Sequence, residues 1–175
     1  MRRNTSGQNG AFGLANLKLS KLKEKSIPRA TAFMSDSIFV DTNIFLYARD
    51  SSEPEKQAVA GERLDELWES RSGRISAQVL NEYFVNVTRK LDPGLSPEEA
   101  WDDVETLSVW DPLAIDMPLL QRGYAAQSRY GLSWWDSLIV AAAEATGCSV
   151  ILSEDLAHGA QYFGVTVENP FLSER

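Results

Sequence analysis

An α/β domain built on a parallel sheet is the fold class this sequence predicts, and three observations predict it. Two short runs, 37–40 (Ser-Ile-Phe-Val) and 149–152 (Ser-Val-Ile-Leu), are apolar without polar alternation, the pattern of strands buried on both faces. Between them Val79, Leu80, Tyr83, Phe84 and Val87 recur at helical spacing and define one apolar face. Strand and helix patterns alternate along the chain, which places helices on both faces of the sheet.

The run 37–40 ends at Asp41-Thr42-Asn43, a strand meeting a helix start. A short helix begins with 44–47, and 50–54 is a polar break. A second helix is predicted over 54–70, with Val59, Leu64, Leu67 and Trp68 as its apolar positions and Gly73 as its stop. Residues 74–76 read as a brief strand before the helix that carries Tyr83. Asp92-Pro93-Gly94 is a turn, and Ser96 with Glu99 three residues on is a capping box opening a helix to about Leu107. Residues 109–113 read as another short strand. Pro118 opens a helix that closes near Gly131. Ser133 caps a helix over 134–146 whose Leu-Ile-Val-Ala-Ala-Ala centre is apolar nearly all round and is expected against the sheet. Gly147 ends it, and 149–152 and 165–167 are the last strands. The chain has no internal repeat.

A length of 175 residues with 43% hydrophobic and 24% charged residues is that of one soluble domain. The net charge of -8 is unevenly spread: residues 1–33 hold seven basic residues and one acid, so the remainder carries -14. That balance excludes a basic domain that coats nucleic acid. Residues 1–33 are expected to form a basic flexible arm or an over-called start, since Met34 directly precedes the first strand; the domain is expected over 34–175. One Cys and one His exclude an internal disulfide and a four-ligand zinc site. Cys148 reads as a small buried hydrophobe. A Ser-His-Asp or Cys-His enzyme would have to use His158, and no nucleophile-elbow pattern accompanies it. No run approaches the ~18 to 20 apolar residues of a membrane span, and no signal-peptide core follows Arg2 and Arg3, so a soluble cytoplasmic protein is expected.

In open parallel sheets, ligands bind beyond the carboxyl ends of the strands. Asp41 ends the first strand, and Asp155 follows 150–152 after Ser153 and Glu154. Asp136 is the third residue of the helix over 134–146. Glu82 lies on the flank of its helix, in line with Gln78, Asn86 and Arg89. Each acid alone also reads as a helix cap, a favourable charge at a helix start or a solvated residue. Together, four carboxylates without a His or Cys partner form a hard oxygen donor set suited to Mg²⁺ or Mn²⁺. Such a site supports phosphoryl chemistry, the metal activating a water and neutralising phosphate charge.

FVDTNIFLYARD at 39–50, the single acid in SAQVLNEYFVNVTRK at 76–90, LSWWDSLIVAAAEATGCSVILSEDL at 132–156 and VENPF at 167–171 together resemble a PIN domain over residues 34–171. The chain is most similar to the VapC-type ribonuclease toxins of toxin-antitoxin modules. The resemblance implies a PIN-like three-layer α/β sandwich with a short central parallel sheet, and a Mg²⁺- or Mn²⁺-dependent endoribonuclease. It assigns Asp41, Glu82, Asp136 and Asp155 to the acidic cluster, Asp41 and Asp136 as metal ligands and Asp155 farther out, with Thr42, Asn43 and Ser153 orienting them. It further implies an RNA substrate, a homodimer and a cognate antitoxin that inserts a basic side chain into the cleft. Arg49, Arg89, Lys90, Arg122 and Arg129 are candidate phosphate contacts, and Tyr47, Trp68 and Tyr83 a candidate association patch. The alternatives are a PIN-like module that binds partners without cleaving, and an RNA-processing nuclease independent of any antitoxin.

Overall fold

The computed structural model describes residues 37–172. In chain order these form β1 (Ile38–Val40), α1 (Thr42–Arg49), α2 (Pro54–Ser70), β2 (Gly73–Arg74), α3 (Ala77–Arg89), α4 (Pro97–Leu107), a 3-10 turn (Ser108–Trp110), α5 (Met117–Tyr130), α6 (Trp134–Ala145), β3 (Val150–Leu152), β4 (Gln161–Tyr162) and β5 (Val165–Glu168). The sheet order is β2-β1-β3-β5-β4. Phe39 stands opposite Ile151 and Ile151 opposite Val167, and all pairings are parallel except that of the β4 edge with β5. The architecture is the expected α/β fold around a short, mostly parallel sheet. The antiparallel β4 is an addition that one exposed and one half-buried residue did not signal.

Phe39, Val40, Ile151, Leu152 and Val167 are buried at the centre. Every residue of α6 from Ser137 to Ala143 is buried, and the helix packs on β1, β3 and β5. Its small alanines let the helix axis approach the sheet, and over 137–143 its circumference leaves no face for water. Three of the local capping signals hold. Ser96 and Glu99 exchange capping bonds at the start of α4, Ser133 accepts from the Asp136 amide, and Gly131 takes a left-handed φ of 69° after α5.

Two elements depart from the sequence reading. Arg71, with φ of 58°, ends α2 in place of Gly73. Gly73 lies in β2 under Trp110, where an added Cβ would stand 2.5 Å from the indole. The strand expected over 109–113 is instead the 3-10 turn, after which Leu113 bridges only to Ser76. Burial of Trp110 decides this. The tight turn carries its ring to within 5.8 Å of Trp68 and 6.0 Å of Phe45, centroid to centroid, and leaves β-branched Val109 exposed.

One side chain lies elsewhere than expected, and two aromatics take their expected places on apolar helix faces, which removes them from the candidate association patch. Arg49 is not a surface phosphate contact: it is buried and paired with Asp103 at 2.5 Å. Trp68 and Tyr83 are core residues, so the association patch proposed around them and Tyr47 is not available. Cys148 is buried as expected, beside Thr146, and burial pushes its thiol pKa up. His158 accepts a hydrogen bond from the Asn169 amide and so braces the last loop. The expected arm over 1–33 lies outside the described residues. Among the described residues no helix is long and apolar enough to cross a membrane.

Candidate active site

The site begins where β1 stops. The Asp41 amide donates to Leu152 at 3.0 Å, which holds this residue at the carboxyl edge of the sheet while its side chain caps α1. One carboxylate oxygen accepts from the Thr42 amide at 2.7 Å. The other accepts from Asn43 Nδ2 at 3.1 Å and Ser153 Oγ at 2.7 Å. Asp41 is only 6% exposed. Burial pushes its pKa up to about 6; the charges of Asp155 and Glu82 add to the rise, and the bonds from Ser153 and Thr42 restrain it.

The loop after β3 brings the next acid. Ser153 is fully buried, and its hydroxyl accepts from the amides of Asp155 at 3.1 Å and Leu156 at 3.2 Å. This winds the loop so that Asp155 meets Asn43 Nδ2 at 3.2 Å, while Asn43 Oδ1 accepts from the Glu154 amide at 3.3 Å. Asn43 therefore joins the first turn of α1 to this loop. Glu154 turns away, binding Lys56 at 2.6 Å, with the ammonium 4.2 Å from the centre of the Tyr47 ring. Burial disfavours the Glu154 carboxylate, yet the bonds from Lys56 and Tyr47 prevail and hold its pKa below the usual range.

Glu82 comes from the flank of α3. Its oxygens accept from Thr42 Oγ1 at 3.0 Å and Gln78 Nε2 at 2.9 Å. Gln78 also donates to the Trp135 carbonyl at 3.2 Å, tying α3 to the start of α6. Sequence reading placed Gln78 in line with Glu82, one helical turn earlier, but assigned it no role. Asp136 stands in the first turn of α6, where its carboxylate accepts from Ser133 Oγ at 2.7 Å and gains from the amides of the helix start.

Asp41, Glu82, Asp136 and Asp155 line one cleft of about 260 Å³, with Thr42, Asn43, Gln78, Trp135 and Lys90 among the other walls. The structure thus brings together all four predicted acids, from four separate elements. Ser153 supports the cleft from beneath. Among the described residues, no three His, Cys, Asp or Glu side chains stand close enough to form a ready-made metal cage. The donors are nonetheless all oxygens, and Mg²⁺ typically keeps several waters and takes only one or two carboxylates, so the residues fit a hard divalent cation. Of the candidate phosphate contacts, Lys90 lines the cleft; Arg122 pairs with Glu144, and Arg129 lies over the rings of Tyr130 and Phe163.

No curated protein matches the chain. The model of the PIN domain family matches residues 38–160, a span that holds all four acids of the cleft. PIN domains are typically metal-dependent nucleases, and the match supports a nuclease-type function in general. With most of its length matched, the chain belongs to the PIN domain family.

Proposed function

We propose that the chain is a Mg²⁺- or Mn²⁺-dependent endoribonuclease and the toxin of a VapC-type toxin-antitoxin pair. The observation that carries the nuclease reading is the convergence of four carboxylates on one cleft, with Asp41 raised to a pKa of about 6 by burial and its acidic neighbours. Such a group ionises fully once a cation offsets its burial. Asp41 and Asp136 are the metal ligands in this reading, and Glu82 and Asp155 complete the acidic set. A bound divalent ion supplies an activated water and neutralises charge on the phosphate. The protein's part is to hold the oxygens. Gln78 and Thr42 each take one oxygen of Glu82, and Asn43 and Ser153 hold Asp41, so little reorganisation accompanies loading.

The toxin reading rests on the resemblance of the motifs at 39–50 and 132–156. A cognate antitoxin would silence the cleft by placing an Arg or Lys among the carboxylates, in competition with the metal. A homodimer, a cytoplasmic location and a domain over 34–175 belong to the same reading. The contrary reading is a PIN-like module that binds partners without cleaving.

The deciding test is RNA cleavage by purified protein with Mn²⁺, with Mg²⁺ and with EDTA, alongside Asp41→Asn. Metal-dependent cleavage lost in the variant supports the nuclease. A folded protein that binds the ion and cleaves nothing supports the binding module. Growth arrest on expression, relieved by the adjacent upstream reading frame, tests the toxin assignment separately.

A further inference from the structure

Two successive tryptophans open α6, and they have opposite surroundings. Trp134 is half-buried and lies near Gly123 of α5, whose added Cβ would stand 3.7 Å from the indole. Trp135 is 61% exposed and lines the acidic cleft directly beside Asp136. Among the described residues its ring packs on no other aromatic ring and its indole N–H bonds to no protein group. Its backbone is nevertheless held, because Gln78 Nε2 donates both to its carbonyl at 3.2 Å and to Glu82 at 2.9 Å. The residue that carries this exposed ring is therefore anchored beside the acids, through its backbone, by the same amide that orients one of them.

The charge of the cleft makes this ring useful. Lys90, at the end of α3, is the one cation among the described residues lining it, against four carboxylates. A polyanion approaching such a cleft gains little from charge, so affinity has to come from contacts that do not depend on it. Stacking of a base on an aromatic face is such a contact, and it tolerates any base because every base has a π face. A base inside a duplex is already stacked on both sides and cannot offer one.

We propose that Trp135 is the base-stacking residue of the substrate site, taking the face of an unpaired nucleobase beside the scissile phosphate, and that Lys90 contacts a neighbouring phosphate. The assignment rests on the nuclease reading above. It makes Trp135 a determinant of strand state and affinity, with little role in base identity.

The test uses the full chain without divalent metal, titrated with a short fluorescein-labelled single-stranded RNA of mixed sequence, and with the same RNA in a duplex. Single strand should quench tryptophan emission and bind; the duplex should not quench. Trp135→Ala should weaken binding by about tenfold or more, and Trp135→Phe should recover most of the loss while removing the quench. Lys90→Ala should reduce the salt dependence of binding by about one ion. On an RNA that the enzyme cleaves, the Trp135→Ala loss should fall on KM far more than on kcat. Replacing the nucleotide beside the cut by an abasic one should handicap the wild type and leave Trp135→Ala nearly indifferent.

Binding within twofold of wild type in Trp135→Ala, equal quenching by the duplex, or no measurable RNA binding by the wild type would each overturn the assignment. Cleavage with an unchanged KM in Trp135→Ala overturns this inference and leaves the nuclease reading standing. Single-strand binding that depends on Trp135, in a protein that cleaves nothing with any metal, overturns the nuclease reading and keeps the stacking site.

Discussion

Nδ2 of Asn43 donates to Oδ2 of Asp155 at 3.2 Å, a bond that spans 112 positions of sequence and closes the acidic cleft between α1 and the loop after β3. The same amide holds Asp41 at 3.1 Å, so a single side chain sets the separation of two carboxylates that repel each other. Replacing it with Ala leaves both acids in place and removes the group between them. Asn43→Ala is expected to lower metal affinity and cleavage by about 10- to 100-fold, with its far-ultraviolet circular dichroism unchanged. Isothermal titration with Mn²⁺ and a cleavage assay check it; wild-type affinity would leave Asn43 as a loop brace only.

Asp41→Asn and Asp136→Asn are each expected to abolish metal-dependent cleavage and leave the fold intact. Asn keeps the size of the side chain but loses the charge that holds a divalent cation. Full activity in either variant, at matched circular dichroism, would remove that residue from the acidic set.

Asp41 also predicts how stability depends on pH. Its folded pKa of about 6 lies above the ordinary 3.8, so the neutral carboxyl is the form the fold favours. The stabilisation is fully present below pH 3.8 and is lost as pH rises through about 6, an effect of order 3 kcal/mol. The melting temperature of metal-free protein, taken relative to Asp41→Asn at each pH, should fall across that interval. Mg²⁺ should restore it at higher pH in the wild type and not in the variant. A difference that does not vary with pH would show that Asp41 does not titrate there.

The buried pair of Arg49 and Asp103 joins α1 to α4. Asp103 accepts from Arg49 at 2.5 Å and from the Tyr83 hydroxyl at 2.6 Å, and burial together with the Asp103 charge pushes the Tyr83 phenol up. Asp103→Ala removes the carboxylate that neutralises a buried guanidinium and is expected to cost about 3 to 5 kcal/mol in urea unfolding. The triple variant Arg49→Met, Asp103→Leu and Tyr83→Phe, which also removes the hydroxyl that Asp103 accepts from, should regain most of that. A loss below about 1 kcal/mol in the single variant would mean that water reaches Arg49 freely.

Gly73→Ala is expected to destabilise by about 1 to 3 kcal/mol, since the new methyl group meets the Trp110 indole at 2.5 Å and that ring is wedged between Trp68 and Phe45. Denaturant midpoints give the value. An unchanged midpoint would show that the 3-10 turn moves aside.

Sequence alone determined the features whose causes are local. The capping box at Ser96 and Glu99 closes within four residues, the Ser133 cap within another four, and the buried strands are apolar runs legible without their partners. Asp41, Asp136 and Asp155 were legible because strand ends and helix starts are where an α/β sheet gathers ligands. Glu82 entered the acidic set only in company with them, and its family role came from resemblance, because a flank position on a helix looks the same whether it faces water or a cleft. The tertiary structure decided what depends on a neighbour far along the chain. It turned Arg49 inward onto Asp103, coiled 108–110 to bury Trp110, sent Glu154 to Lys56, and set Gln78 between Glu82 and Trp135. In each case burial or charge pairing across the fold outweighs the propensity of the residue itself, and that free energy exists only once the opposing element has arrived.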